Sequence, residues 1–100
     1  METGPDVKNL LRKLLKGYMQ YFDNDYMNSE GRKVFEEMAR MLIYEHPEIK
    51  PTIRRIRRNP TLDNVLKLAR RILGSEADKI VKTVGKYPYV YRFERDFLEV

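Results

Sequence analysis

Four arginines stand in two adjacent pairs, Arg54-Arg55 and Arg57-Arg58, on either side of Ile56. A guanidinium presents a planar fork of N–H donors that matches two oxygens of a phosphate, and each contact with a polyanion releases counterions. Lys50 precedes the two pairs, and Lys67, Arg70 and Arg71 follow them. From Lys50 to Arg71 there are eight basic residues and one acid, Asp63, so the stretch carries +7 within a chain of net charge +5. The remainder is therefore close to neutral. Helices kept in solution by mixed charge intersperse the signs, and unmixed cations repel one another unless an anion lies between them. The occupant expected is the phosphate backbone of a nucleic acid, with duplex DNA favoured. The alternatives are an acidic protein partner, or a solvated face on which some arginines pair with Glu36, Glu37 or Glu45.

The remaining residue types point away from catalysis. The chain has no cysteine and a single histidine, His46. A thiolate nucleophile, a disulfide and a zinc site of the usual Cys/His kind are thus ruled out. His46 precedes Pro47 at a predicted helix end, where a positive imidazole suits the dipole. Ser29 and Ser75 are the only serines, and both are read as helix caps. Asp23, Asp25, Asn28 and Glu30 offer hard oxygen ligands but lack the calcium-loop spacing and its central glycine, so they are read as a capping loop. There is no glycine-rich phosphate loop and no nucleophile elbow. The expectation is a protein that is not an enzyme and uses no cofactor or metal.

A second cluster is aromatic. Tyr87, Tyr89, Tyr91 and Phe93 alternate near the C-terminus and Phe97 follows. Stacking on the bases of a single strand is one use for such residues. Core packing or a homodimer interface is the reading preferred, since tyrosine can keep one end wet.

The elements that must position these groups are helical. Val7, Leu10, Leu11, Leu14, Tyr18, Tyr21 and Phe22 recur at helical spacing and predict a first helix over 6–22, capped by Asp6. Asp23 to Ser29 reads as a loop, with Asn28 or Ser29 capping a second helix over 30–45 that buries Val34, Phe35, Met38, Met41 and Leu42. Pro47 ends it. A short helix over 51–58 follows, with Ile49, Ile53 and Ile56 as one apolar stripe and the arginines on its other faces. Asn59-Pro60 breaks it, and Thr61 caps a helix burying Leu62, Val65, Leu66, Ala69, Ile72 and Leu73, stopped by Gly74. Ser75 with Asp78 outlines a capping box for a fifth helix, with Ala77, Ile80, Val81 and Val84 inward and Gly85 at its end. The segment 86–100 fits a strand or a helix, and helix is preferred because a lone strand has no partner. The whole is an all-α, compact single domain of five or six short helices over 1–100, with 86–100 as an oligomerisation element.

The stretch from Arg54 to Gly74 is similar to the end of lambda-repressor-like (Xre/Cro) helix-turn-helix domains. Those domains leave the recognition helix through a basic turn, then an Asn-Pro-Ser/Thr-Leu cap, then a leucine-spaced helix ending in Ala-x-x-Leu-Gly. The matching residues are Asn59, Pro60, Thr61, Leu62, Leu66, Leu68, Ala69 and Gly74, and Met38-Ala39 stands for the leucine-alanine of the first motif helix. The resemblance spans about residues 34–74 and departs from the family at the turn, where Ile43 to Pro47 replace a tight glycine turn. It implies a DNA-binding transcriptional regulator, dimeric as such proteins usually are, with Ile49 to Arg58 as the recognition helix in the major groove. Lys50, Thr52 and Arg55 would then be candidates for base contacts, and helix termini would grip phosphates.

Composition sets the broad class. With 42% hydrophobic and 35% charged residues the chain is globular rather than disordered. No apolar run nears the length of roughly 20 residues that a membrane span needs, and Met1 to Asp6 does not resemble a signal peptide. The expectation is a soluble cytoplasmic protein without a membrane partner, and its bias towards Lys, Arg and Glu suits a thermophile.

Overall fold

Residues 2–84 are described by a computed structural model. The readings placed on 85–100, the Gly85 stop and the interface of Tyr87, Tyr89, Tyr91, Phe93 and Phe97 among them, lie outside the described residues. Within them the fold is all-α. Its helices are α1 (Pro5–Lys16), α2 (Tyr18–Tyr21), α3 (Ser29–Glu45), α4 (Lys50–Arg58), α5 (Leu62–Leu73) and α6 (residues 75–84). A 3-10 turn at Pro47–Ile49 leads into α4, and two-residue strands β1 (Phe22–Asp23) and β2 (Tyr26–Met27) form a small antiparallel hairpin. No helix of the described residues is long and apolar enough to cross a membrane.

The first helix departs from its expected bounds at both ends. Gly4, not Asp6, is the N-cap, because Pro5 is already set for the first helical position. Asp6 instead sits in the first turn, where its charge suits the helix dipole. The helix does not run on to Phe22: it ends at Lys16, and α2 restarts after Gly17 with the Tyr21 ring lying over it. Leu15 is fully buried and Leu10 only half-buried, so the apolar stripe is rotated from the one expected.

The expected loop after Phe22 holds the hairpin. Asn24 and Asp25 take positive φ values of 52° and 67°, which short polar side chains tolerate and which two-residue hairpin turns of the primed type require. Asn28 then caps α3 as expected, its side chain accepting from the Gly31 amide at 2.9 Å. Pro47 ends α3 at His46, which is its C-cap.

The hairpin also fixes the turn between α4 and α5. Met27 donates its amide to the Pro60 carbonyl at 2.9 Å and Leu62 donates to the Asp25 carbonyl at 2.8 Å, with Tyr26 and Thr61 in a β-bridge. Thr61 caps α5 through its hydroxyl, which accepts from the Asn64 amide at 3.1 Å. Gly74, at φ 65°, turns the chain out of α5. The capping box expected at Ser75 and Asp78 is not formed: Ser75 is already helical, and the Asp78 carboxylate accepts from Arg70 instead. That ion pair outcompetes a local backbone bond because a guanidinium supplies two charged donors.

One buried cluster joins α1 and α3, which pack along each other, with α4, α5 and α6. Every residue buried among those described is apolar or glycine. Val65, Ala69 and Ile72 of α5 are buried as expected, but Leu68 is too, whereas Leu62, Leu66 and Leu73 are half-buried. Met41 of α3 is likewise half-buried. In both helices the packed face is narrower than the run of apolar residues, so one edge of the run meets solvent.

Candidate nucleic-acid interface

The geometry of the basic segment follows from the isoleucine stripe. Ile49, Ile53 and Ile56 are at most 1% exposed, so the rotation of α4 is fixed. A helix advances about 100° per residue. Arg58 therefore falls opposite the stripe and Arg54 and Arg55 lie about equally far round the helix on either side of it, Arg57 turns toward α3, and Arg55 turns toward α5. All four are exposed, as are Lys50, Lys67, Arg70 and Arg71.

The eight cations do not share one environment. Arg57 grips Glu36 of α3 through two bonds, Nε to Oε2 at 2.9 Å and Nη2 to Oε1 at 2.7 Å. These hydrogen bonds raise the Arg57 pKa above its ordinary value. Arg70 holds Asp78 of α6 at 2.9 Å, which raises its pKa in the same way. Lys67 pairs with Asp63 one turn back at 3.4 Å, and both side chains remain well exposed. No carboxylate among the described residues lies within ion-pair distance of Lys50, Arg54, Arg55, Arg58 or Arg71. Thus the pairing expected with Glu36 is made by one arginine of the four. The Glu45 carboxylate instead accepts from the Gly4 amide at 3.0 Å.

Between α4 and α5 lies a recess of about 140 Å³. Arg55, Lys67 and Arg71 stand on its walls with Thr52 and Asn64, and Ile56 and Leu68 also line it. On α5 Lys67 and Leu68 lie three and four residues after Asn64, and Arg71 lies four and three residues after them, so a single stripe of that helix forms one wall. Asn64 went unnoticed in the sequence because an amide carries no charge. Its spacing from Lys67 and Arg71 is the signal that could have found it.

No family model, curated protein or solved structure matches the chain.

The other sequence candidates are dispersed. Among Asp23, Asp25, Asn28 and Glu30, Asn28 is used as a cap, Asp25 in the hairpin turn, and Glu30 meets Lys33 at 3.5 Å. No group of three His, Asp or Glu side chains among the described residues is placed to hold a metal ion. His46 has its Nδ1 at 3.4 Å from the Glu48 carboxylate and its Nε2 against the Glu2 carbonyl.

Proposed function

We propose that this protein is a non-catalytic nucleic-acid-binding protein that grips a phosphate backbone with the outer face of α4 and the adjoining edge of α5. The observation that carries the reading is the set of five cations, Lys50, Arg54, Arg55, Arg58 and Arg71, that have no carboxylate partner among the described residues. Arg57 and Arg70 are held by acids on the flanks, so they brace the surface rather than lead the binding. In the finer form of this reading α4 is the recognition helix of a DNA-binding regulator, and Lys50, Thr52 and Arg55 approach base edges. Support for that form comes from the Asn59-Pro60-Thr61-Leu62 helix start and from the hairpin's backbone bonds to Pro60 and Leu62 on either side of Thr61.

The test is fluorescence anisotropy of a labelled random duplex titrated at two salt concentrations. Five phosphate contacts predict a slope of log affinity on log salt of about −4.5, or about a 500-fold loss between roughly 50 and 200 mM salt. Replacing Arg54, Arg55 and Arg58 together by serine should bring the slope to about −1.8, and Arg57→Ser should cost less than any of the three. Absence of binding at low salt, or a slope untouched by the triple replacement in a folded protein, refutes the reading. The second reading is an interaction module for a protein partner, favoured by the exposure of Tyr44 (88%), Met19 (57%) and Tyr26 (51%). It predicts a stoichiometric partner band on purification and no excess absorbance at about 260 nm, the signature that bound polyanion would leave before a salt wash.

A further inference from the structure

We infer that the recess between α4 and α5 is a built seat for one phosphate group, held from α4 by Arg55 and the Thr52 hydroxyl and from α5 by Arg71 and Lys67. The inference rests on the nucleic-acid reading for the source of that phosphate, but the chemistry of the seat stands by itself.

Three observations point to an anion here rather than along the convex face of α4. First, two helices contribute guanidinium groups to one concavity, and neither Arg55 nor Arg71 has a carboxylate partner among the described residues. Two such cations on opposite walls repel each other across a recess unless an anion bridges them. Arg54 and Arg58 stand one turn apart on the exposed side of α4, where their mutual repulsion is screened by solvent rather than confined in a concavity. Second, the volume of about 140 Å³ is comparable with that of a cavity of about 150 Å³ that takes a benzene-sized ligand. It admits a phosphate group with part of its hydration shell. Third, the recess supplies neutral donors as well as charge. The Thr52 hydroxyl has no hydrogen-bond partner among the described residues, and the Asn64 side chain, whose Nδ2 donates to the Asn59 carbonyl at 2.9 Å, keeps a second N–H.

The remaining cation is available at little cost. Lys67 lies 3.4 Å from Asp63 with both side chains more than 60% exposed, a pair of the kind that contributes little. A phosphate entering the recess draws Lys67 from Asp63 without breaking a buried contact. Arg70, one residue before Arg71, is excluded from the seat because Asp78 holds it on the α6 side.

The seat is tested by NMR with inorganic phosphate as the probe, at constant ionic strength, with acetate as the comparison anion. The expected result is saturating amide shifts confined to the neighbourhood of Thr52, Arg55, Lys67 and Arg71, tighter for phosphate than for acetate. Arg71→Gln should abolish saturation. Thr52→Val, which leaves the charge unchanged, should weaken phosphate about fivefold, the worth of one net hydrogen bond. Shifts spread evenly over all exposed cations, equal response to acetate, or indifference to Thr52→Val overturns the proposal, since each describes a diffuse basic surface. Labelled duplex then separates the sources. A wild-type duplex complex whose salt slope falls by about 1 in Arg71→Gln assigns the seat to the nucleic-acid backbone. Saturable inorganic phosphate with no duplex binding leaves a seat for free phosphate, and the nucleic-acid reading fails alone. Duplex binding through Arg54 and Arg58 without saturable phosphate makes the seat fail alone.

Discussion

Replacing Gly31 by alanine sets two physical effects against each other, and the structure decides the sign. Alanine is favoured over glycine in a helix by about 1 kcal/mol, and Gly31 is helical, in the first turn of α3. On propensity alone the variant would be stabilised. A Cβ at position 31, however, would overlap the Tyr21 carbonyl oxygen and lie 3.1 Å from the Tyr21 Cβ. That oxygen is not free to withdraw, because it accepts from the Asn28 amide at 2.9 Å. Asn28 in turn donates through Nδ2 to the Gln20 carbonyl at 2.8 Å and caps α3 through the Gly31 amide. The added methyl must therefore push apart the junction that laces α2 to the start of α3. Overpacking of this kind costs about 1–3 kcal/mol, and a disturbed hydrogen bond adds about 1 kcal/mol. Set against the propensity gain, the expected net loss is about 2 kcal/mol, or about 8–16 °C in Tm for a domain of this size. Thermal and urea unfolding followed by circular dichroism measure it. A Tm equal to or above that of the parent would refute the close approach on which the reasoning depends.

Three further outcomes are expected. A double-mutant cycle on Glu36→Ala and Arg57→Ala, read by urea unfolding, should give a coupling no larger than about 1 kcal/mol, because both side chains are close to half exposed; a coupling well above that would refute the reading of this pair as a solvent-screened one. Hydrogen bonds from Arg12, at 2.6 and 3.2 Å, hold the Glu76 carboxyl below its ordinary pKa. A depressed carboxyl pKa contributes stability above the usual carboxylate range and loses it as pH falls through the folded value, so Glu76→Gln should flatten the acid limb of a Tm-versus-pH curve while leaving its shape near neutrality unchanged. Asn28→Ala should cost about 1–2 kcal/mol by denaturant unfolding, since it removes both the cap of α3 and the bond to Gln20.

What the sequence determined by itself was local. Asn28 and Thr61 cap helices because a short side-chain oxygen reaches the amide three residues on, and no distant group is needed. Pro47, the Asn59-Pro60 pair and Gly74 stop helices through constraints carried by one or two residues. The stripe of Ile49, Ile53 and Ile56 fixed which side of α4 would be covered, and with it the outward aim of Arg54 and Arg58. Where the structure departs from the expected elements, a competing local choice or a distant partner decided. Pro5 displaced Asp6 from the cap, and the close seat of Tyr21 on Gly17 broke a helix that periodicity alone would have continued. Tertiary structure also decided how the cations are divided. Arg57 finds Glu36 at a separation of 21 residues and Arg12 finds Glu76 at 64, and no spacing rule encodes such pairs. The recess between α4 and α5 is a product of the same kind. Its α5 wall is a simple helical stripe, but Thr52 and Arg55 face it only because the hairpin clamps Pro60 and Leu62 and sets one helix beside the other.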